Sequence, residues 1–152
     1  MSDIEKMTQK SQEAMQAAAK LAEERHHSAV ETEHLMLEVL RQEDGIVPRV
    51  LARMDIPVRD LTQDFEARLR ALPTVTGSGV RVVAGAGLQR VFGEAEKVAK
   101  SMGDAYISTE HFLLAALRAG PSDVQKIFDR RGLRAEPFQT MLSELRGGQK
   151  IM

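Results

Sequence analysis

The chain has 152 residues, 43% of them hydrophobic and 28% charged, with 21 lysines and arginines against 22 aspartates and glutamates for a net charge of −1. This length suits one globular domain, the composition excludes a disordered chain, and the near-zero charge gives no overall attraction to nucleic acid or an anionic membrane. There is no cysteine, which removes disulfide frameworks and thiolate chemistry and fits a reducing compartment; the opening MSDIEKMTQK has no signal-peptide core, and no stretch approaches the roughly 20 apolar residues of a bilayer span.

Abundant Ala, Leu, Glu, Arg and Gln, with one Tyr, five Phe and no Trp, predict helices throughout. Thr8 opens the first, whose inner face carries Ala14, Ala18, Leu21 and Ala22. His26 and His27 lie in the polar turn after it, where both rings are expected in solvent. Glu31 stands at the N-cap of a second helix over 32–40, apolar on most sides; Gly45 and Pro48 mark a third, and Pro57 a fourth with Val58, Leu61, Phe65 and Leu72 at helical steps. Residues 72–87, rich in Gly, Ser, Thr and Pro, read as a connecting loop, with Val80, Val82 and Val83 able to form a short extended piece. Leu88, Val91, Phe92, Ala95, Val98, Ala99 and Met102 then share one helix face that Gly103-Asp104 ends. Ser108 is the next N-cap, with Glu110 in the first turn where the helix dipole favours an acid. The run 112–117 is apolar nearly all round, so this helix is expected at the centre, and Pro121 breaks it. Val124, Ile127 and Phe128 face inward from a short helix closed by Gly132; Phe138, Leu142 and Leu145 belong to a last one that Gly147-Gly148 stops.

These elements repeat. A gapless shift of 77 residues, the separation of Thr32 and Thr109, lays VETEHLML on ISTEHFLL and pairs Met15 with Phe92, Ala18 with Ala95, Leu37 with Leu114, Val50 with Ile127 and Leu61 with Phe138. What recurs is a packing pattern at helical spacing. The expected fold is all-α: two pseudo-symmetric four-helix repeats packed into one globular domain.

The sequence lacks the constellations that enzymes need. There is no phosphate-cradling G-x-x-x-x-G-K-[ST], and Gly85-Ala86-Gly87 has neither a third glycine nor a preceding strand. The histidines, His26, His27, His34 and His111, show no metal-ligand spacing. His34 and His111 are repeat-equivalent; a metal would have to draw on both, whereas each one hydrogen-bonding at its own helix start is the simpler reading. Arg130, Arg131 and Arg134 form a basic cluster without an aromatic platform, which reads as a solvated face or as pairs with Asp129 and Glu136.

In order and spacing, MTQKSQEAMQAA, TEHLMLEVL with QEDGIVPRVL, LPTVTGSG, LQRVFGEAEKVAKSMGDAYISTEHFLLAAL and ELRGGQ resemble the Clp N-domain, the double-repeat helical module that begins ClpA-, ClpB- and ClpC-type unfoldases. LPTVTGSG and LRGGQ are nearest the ClpB-type disaggregases. The resemblance implies an N-domain over 1–148, with repeat one about 8–72, a linker 73–87 and repeat two about 88–146, and at 149–152 the start of a tether to ATPase modules absent from this chain. It implies a cytoplasmic, stress-response chaperone domain that captures unfolded or aggregated polypeptide for a hexameric ring. The rest of that hexamer and a DnaK-type chaperone system would be its partners, without nucleic acid or membrane. ATP and magnesium would belong to the absent modules, leaving no cofactor and no catalysis here. The alternative is an adaptor-docking N-domain of a ClpA/ClpC-type, protease-associated unfoldase.

Carried over residue by residue, the resemblance assigns substrate binding to Thr8, Asp104 and Glu110 and to a furrow at Met15, Phe92, Glu94, Val98 and His111. Glu94 and His111 stand where relatives often carry leucine, so the furrow is either more polar here or shifted toward Phe92, Val98 and Met102. The same residues also read as a cap (Thr8), a turn (Asp104), dipole compensation (Glu110) and core (Phe92, Val98). On the functional reading, Asp104→Ala should lower handover of aggregates while leaving the fold intact.

Overall fold

A computed structural model describes residues 3–77 and 82–152. Among them, a short 3-10 turn, Asp3–Lys6, precedes α1 (Gln9–Glu24), β1 (Ala29–Val30), α2 (Thr32–Arg41), α3 (Ile46–Arg53) and α4 (Val58–Arg70). β2 (Val83–Ala84), α5 (Ala86–Ser101), α6 (Thr109–Ala119), α7 (Ser122–Arg130) and α8 (Ala135–Arg146) follow. Shifted by 77 residues, α1 lands on α5 with both ends in register, and α2, α3 and α4 land on α6, α7 and α8 to within a residue. The expected short extended piece is found at Val83–Ala84; Val80 lies outside the described residues.

The caps follow local chemistry. Thr8 Oγ1 accepts the Ser11 amide at 3.2 Å and so satisfies one of the free donors at the start of α1. After α8, Gly147 and Gly148 take φ of 57° and 87°, a left-handed turn that side chains resist and glycine allows.

α2 and α6 form the middle layer, with every residue from Thr109 to Ala116 buried. Ala14, Ala18 and Ala22 let α1 lie close on α2, as Val91, Ala95 and Ala99 let α5 lie on α6. Across the halves, α3 packs on α8 and α4 on α7, where Phe65 and Phe128 meet edge to face at 5.8 Å.

The halves also exchange short extended segments. Val30 pairs with Ala84 in a parallel ladder, and Ile107 pairs with Met7 in a parallel bridge. Met7 and Ala84 are repeat equivalents, as are Val30 and Ile107. Each half therefore lends the residue before its first helix to the residue before the other half's central helix.

Candidate functional site

Each central helix begins Thr-Glu-His, and the histidine folds back on the cap. His34 Nδ1 accepts the Glu31 amide at 2.8 Å, and His111 Nδ1 accepts the Ser108 amide at 2.8 Å. With Nδ1 accepting, the proton sits on Nε2, which must donate. In repeat one it points to His27 Nδ1 at 2.8 Å, and His27 in turn makes a backbone hydrogen bond at Leu69. In repeat two it points to Asp104 Oδ2 at 2.7 Å. His27 and Asp104 are repeat equivalents, as are Leu69 and Arg146, and Arg146 grips Asp104 with both guanidinium nitrogens at 2.5 and 3.0 Å. One scaffold is neutral in the first half and ionic in the second.

Two expectations are corrected here. His27 is not solvated: it is 4% exposed, because the His34 proton needs a buried acceptor. Asp104 is not only a helix-end turn: burial alone would raise its carboxyl, but hydrogen bonds from Arg146, the Ile151 amide and His111 outweigh that and hold it below the usual carboxylate range.

Burial, then the charges of His27 and Arg25, push His34 down to about 4, and burial also lowers His27. Both rings are neutral when folded and charge more readily when unfolded. Their stabilisation is therefore whole above the unfolded pKa of about 6.5 and is lost as the pH falls through the folded value. Urea unfolding at pH 7 and pH 5 should differ by on the order of 2 kcal/mol. The His27→Gln/His34→Gln double variant should flatten that slope, and an unchanged slope would place the loss elsewhere.

Thr8 and Glu110 line a cavity of about 370 Å³ with Gly45, Ile46 and Arg49 at the start of α3, and with Arg146, Gln149, Lys150 and Ile151 at the end of α8 and beyond. Asp104 stands behind this wall, holding Arg146 and Ile151. The corresponding place in the other repeat is divided: Glu31, Leu72 and Pro73, the equivalents of Ser108, Gln149 and Lys150, line a cavity of about 80 Å³, and Asp123 and Lys126, the equivalents of Ile46 and Arg49, face a separate hollow between α4 and α7. Gly85 stands for Thr8, and a Cβ there would collide with Glu31 Oε1; Gly87 stands for Lys10, and a Cβ there would lie 2.8 Å from Pro121 Cγ. Glu31 and Pro121 thus pack directly on glycine backbone, while at the open site Lys10 and Asp44 form a rim ion pair at 2.7 Å.

The acids differ too. Glu33 pairs with Arg68 at 3.1 Å, and Arg68 with Asp123 at 2.7 Å. In the second half Arg68 is replaced by Leu145. Glu110, 3% exposed, receives the Ser108 hydroxyl, and no ion pair reaches it among the described residues. The cavity wall therefore presents a buried acceptor. A surface hollow of about 560 Å³ between α4 and α7 is larger, but Arg68–Asp123 within it and Asp64 with Arg131 balance its charge.

Thr8, Asp104 and Glu110 thus converge, and the furrow residues do not join them. Met15 and Phe92 are half-buried against the core, Phe92 stacking edge-on with Phe112 at 5.6 Å, and Glu94 is half-buried on α5. Val98 at 1% and His111 at 0% exposure offer no surface to a ligand, which corrects their assignment to a furrow; packing between α5 and α6 consumes them. In the basic cluster Arg134 pairs with Asp129 as expected, while Arg131 turns instead to Asp64 and Asp60. Ile46, Arg49, Arg146 and Ile151 were not anticipated. Differences between the repeats, such as Leu69 against Arg146, are the signal that could have marked them.

Among the described residues no helix is long and apolar enough to cross a membrane, and no group of three or more His, Asp or Glu is placed to hold a metal.

The chain belongs to the Clp repeat (R) N-terminal domain family, which it matches over residues 6–130. It is 43% identical to the chaperone protein ClpB of Bdellovibrio bacteriovorus over 95% of its length and spans 17% of that relative. Among solved structures it is similar to the Hsp104 N-terminal domain of Candida albicans, with a TM-score of 0.83, 21% identity, and coverage of 95% of this chain and 94% of that one. A complex of a ClpV N-domain with a VipB peptide shares the fold at a TM-score of 0.72 and 23% identity, covering 93% and 90%.

Proposed function

We propose that this domain captures extended segments of unfolded or aggregated polypeptide and passes them to an AAA+ disaggregase ring of the ClpB type, of which it is the N-terminal domain. One observation carries the reading. The two repeats share one plan, yet where Gly85 and Gly87 pack directly against Glu31 and Pro121, their equivalents Thr8 and Lys10 border a cavity walled by Thr8, Ile46 and Glu110. Tyr106 and Met152, chain neighbours of Ala105 and of the cavity-lining Ile151, are 41% and 84% exposed, apolar surface of the kind that meets an unfolded chain. Burying a few client side chains at about 25 cal/mol per Å², less the cost of ordering them, gives weak and reversible binding, which suits handover. The ClpV N-domain with its VipB peptide supports the reading by analogy of fold. The ring, its ATP and magnesium, and a DnaK-type system are partners this reading expects of the longer protein.

The test is a titration of the isotope-labelled chain with a permanently unfolded protein, reduced carboxymethylated α-lactalbumin. Amide shifts should gather at Thr8, Ile46, Glu110 and Lys150. Ile46→Ser should weaken binding by about 1 kcal/mol, roughly fivefold. Shifts confined to the α4–α7 hollow, or none at high concentration, would defeat the proposal; tight one-to-one binding to a folded adaptor instead would favour the protease-associated class.

A further inference from the structure

The chain after α8 does not leave the domain directly. The left-handed pair Gly147-Gly148 turns it back, and Ile151 is then held by both its amide and its carbonyl. Its amide donates to Asp104 Oδ1 at 2.9 Å, and its carbonyl accepts the Ala105 amide at 2.5 Å. Gln149, Lys150 and Ile151 so form one wall of the cavity that also holds Thr8 and Glu110.

Three features make this a docked strap and not merely the end of a helix. First, both bonds from Ile151 use the main chain, so Asp104 and Ala105 together present one acceptor and one donor to any extended peptide, whatever its side chains. Second, this edge is held in place without the strap. Asp104 keeps Arg146 and His111 when Ile151 leaves, at 2.5 and 2.7 Å, with all three side chains almost wholly buried. Third, the hinge is two glycines with nothing within 4 Å of either added Cβ, so no neighbour is packed against the hinge itself. In the first repeat the chain after α4 also returns past the loop after α1, where the Val75 amide reaches the His26 carbonyl at 2.7 Å, but no carboxylate stands there to take a second bond.

We propose that residues 149–152 are an internal ligand of a main-chain-reading edge at Asp104-Ala105, and that an extended client segment binds by displacing them. This rests on the client-capture reading above and adds that the site is self-occupied at rest. The competitor is tethered, so its effective concentration is high and the apparent client affinity is reduced by the docked fraction.

Ile151→Pro removes the amide that Asp104 accepts. Gly148→Val opposes the left-handed turn by a separate route, at φ +87° and without a clash. In the 152-residue chain, both variants should speed hydrogen exchange at the Ala105 amide, leave the unfolding midpoint nearly unchanged and tighten binding of reduced carboxymethylated α-lactalbumin several-fold. Unchanged or weaker binding in variants whose Ala105 amide exchanges fast would overturn the strap while client capture stands. If neither the parent chain nor the variants bind, both ideas fall. Slow Ala105 exchange in both variants would show that the strap bonds are not what protects that amide, and would also overturn the proposal.

Discussion

Asp104→Ala is expected to destabilise the domain by about 3–5 kcal/mol, the range for breaking a buried ion pair by removing one partner. The carboxylate is fully buried and takes four hydrogen bonds: two from Arg146, one from His111 and one from Ile151. Its loss leaves a guanidinium whose side chain is 9% exposed without its hydrogen-bonded carboxylate, and leaves the His111 proton without an acceptor. This revises the sequence-level expectation of an intact fold. Adding Arg146→Met should recover part of the loss, because the stranded charge leaves with its partner. Urea unfolding of the two single variants and the double variant measures the coupling. A loss under about 1 kcal/mol in Asp104→Ala would mean that Arg146 swings into water and that the residue acts only at the binding edge.

Leu114→Ala should cost about 2–5 kcal/mol through a cavity in the central helix, where Leu114 is 0% exposed. Its repeat partner Leu37, also 0% exposed, should behave alike. Since α2 packs on α6 and each half supplies an edge to the other, both variants should still unfold in a single transition. Two separated transitions in either variant would show that the halves are independent, and a change of a few tenths would contradict the burial.

The helices, their caps and the 77-residue register were legible because each rests on local chemistry: apolar spacing, a hydroxyl at Thr8, left-handed glycines at 147–148. The pairing of halves was legible as pattern but not as contact; nothing local in Met7 or Ala84 names Ile107 or Val30 as a partner. His27 was misread because its polar turn is only polar in sequence: the donor it accepts from, His34 Nε2, is seven residues away on another element. Val98 and His111 fell on the right helices but on their inner faces, since periodicity finds a face and not which neighbour covers it. Thr8 and Glu110 came together as the resemblance implied, yet what leaves their cavity open, side chains at 8 and 10 where the other repeat has glycine, is a difference between copies that only the packed pair reveals.

The crossed segments have one more consequence. Met7 with Ile107 and Ala84 with Val30 have the form of a two-fold contact between identical subunits, in which each gives what it receives. A protein made of one such unit would find its missing edge only in a second molecule and would fold as a dimer, at the mercy of dilution. Fused in tandem, the partner is always at hand, and the two halves are released from having to match. That release is what lets Gly87 sit against Pro121 in one copy while Lys10 and Asp44 form a charged rim at the matching place in the other.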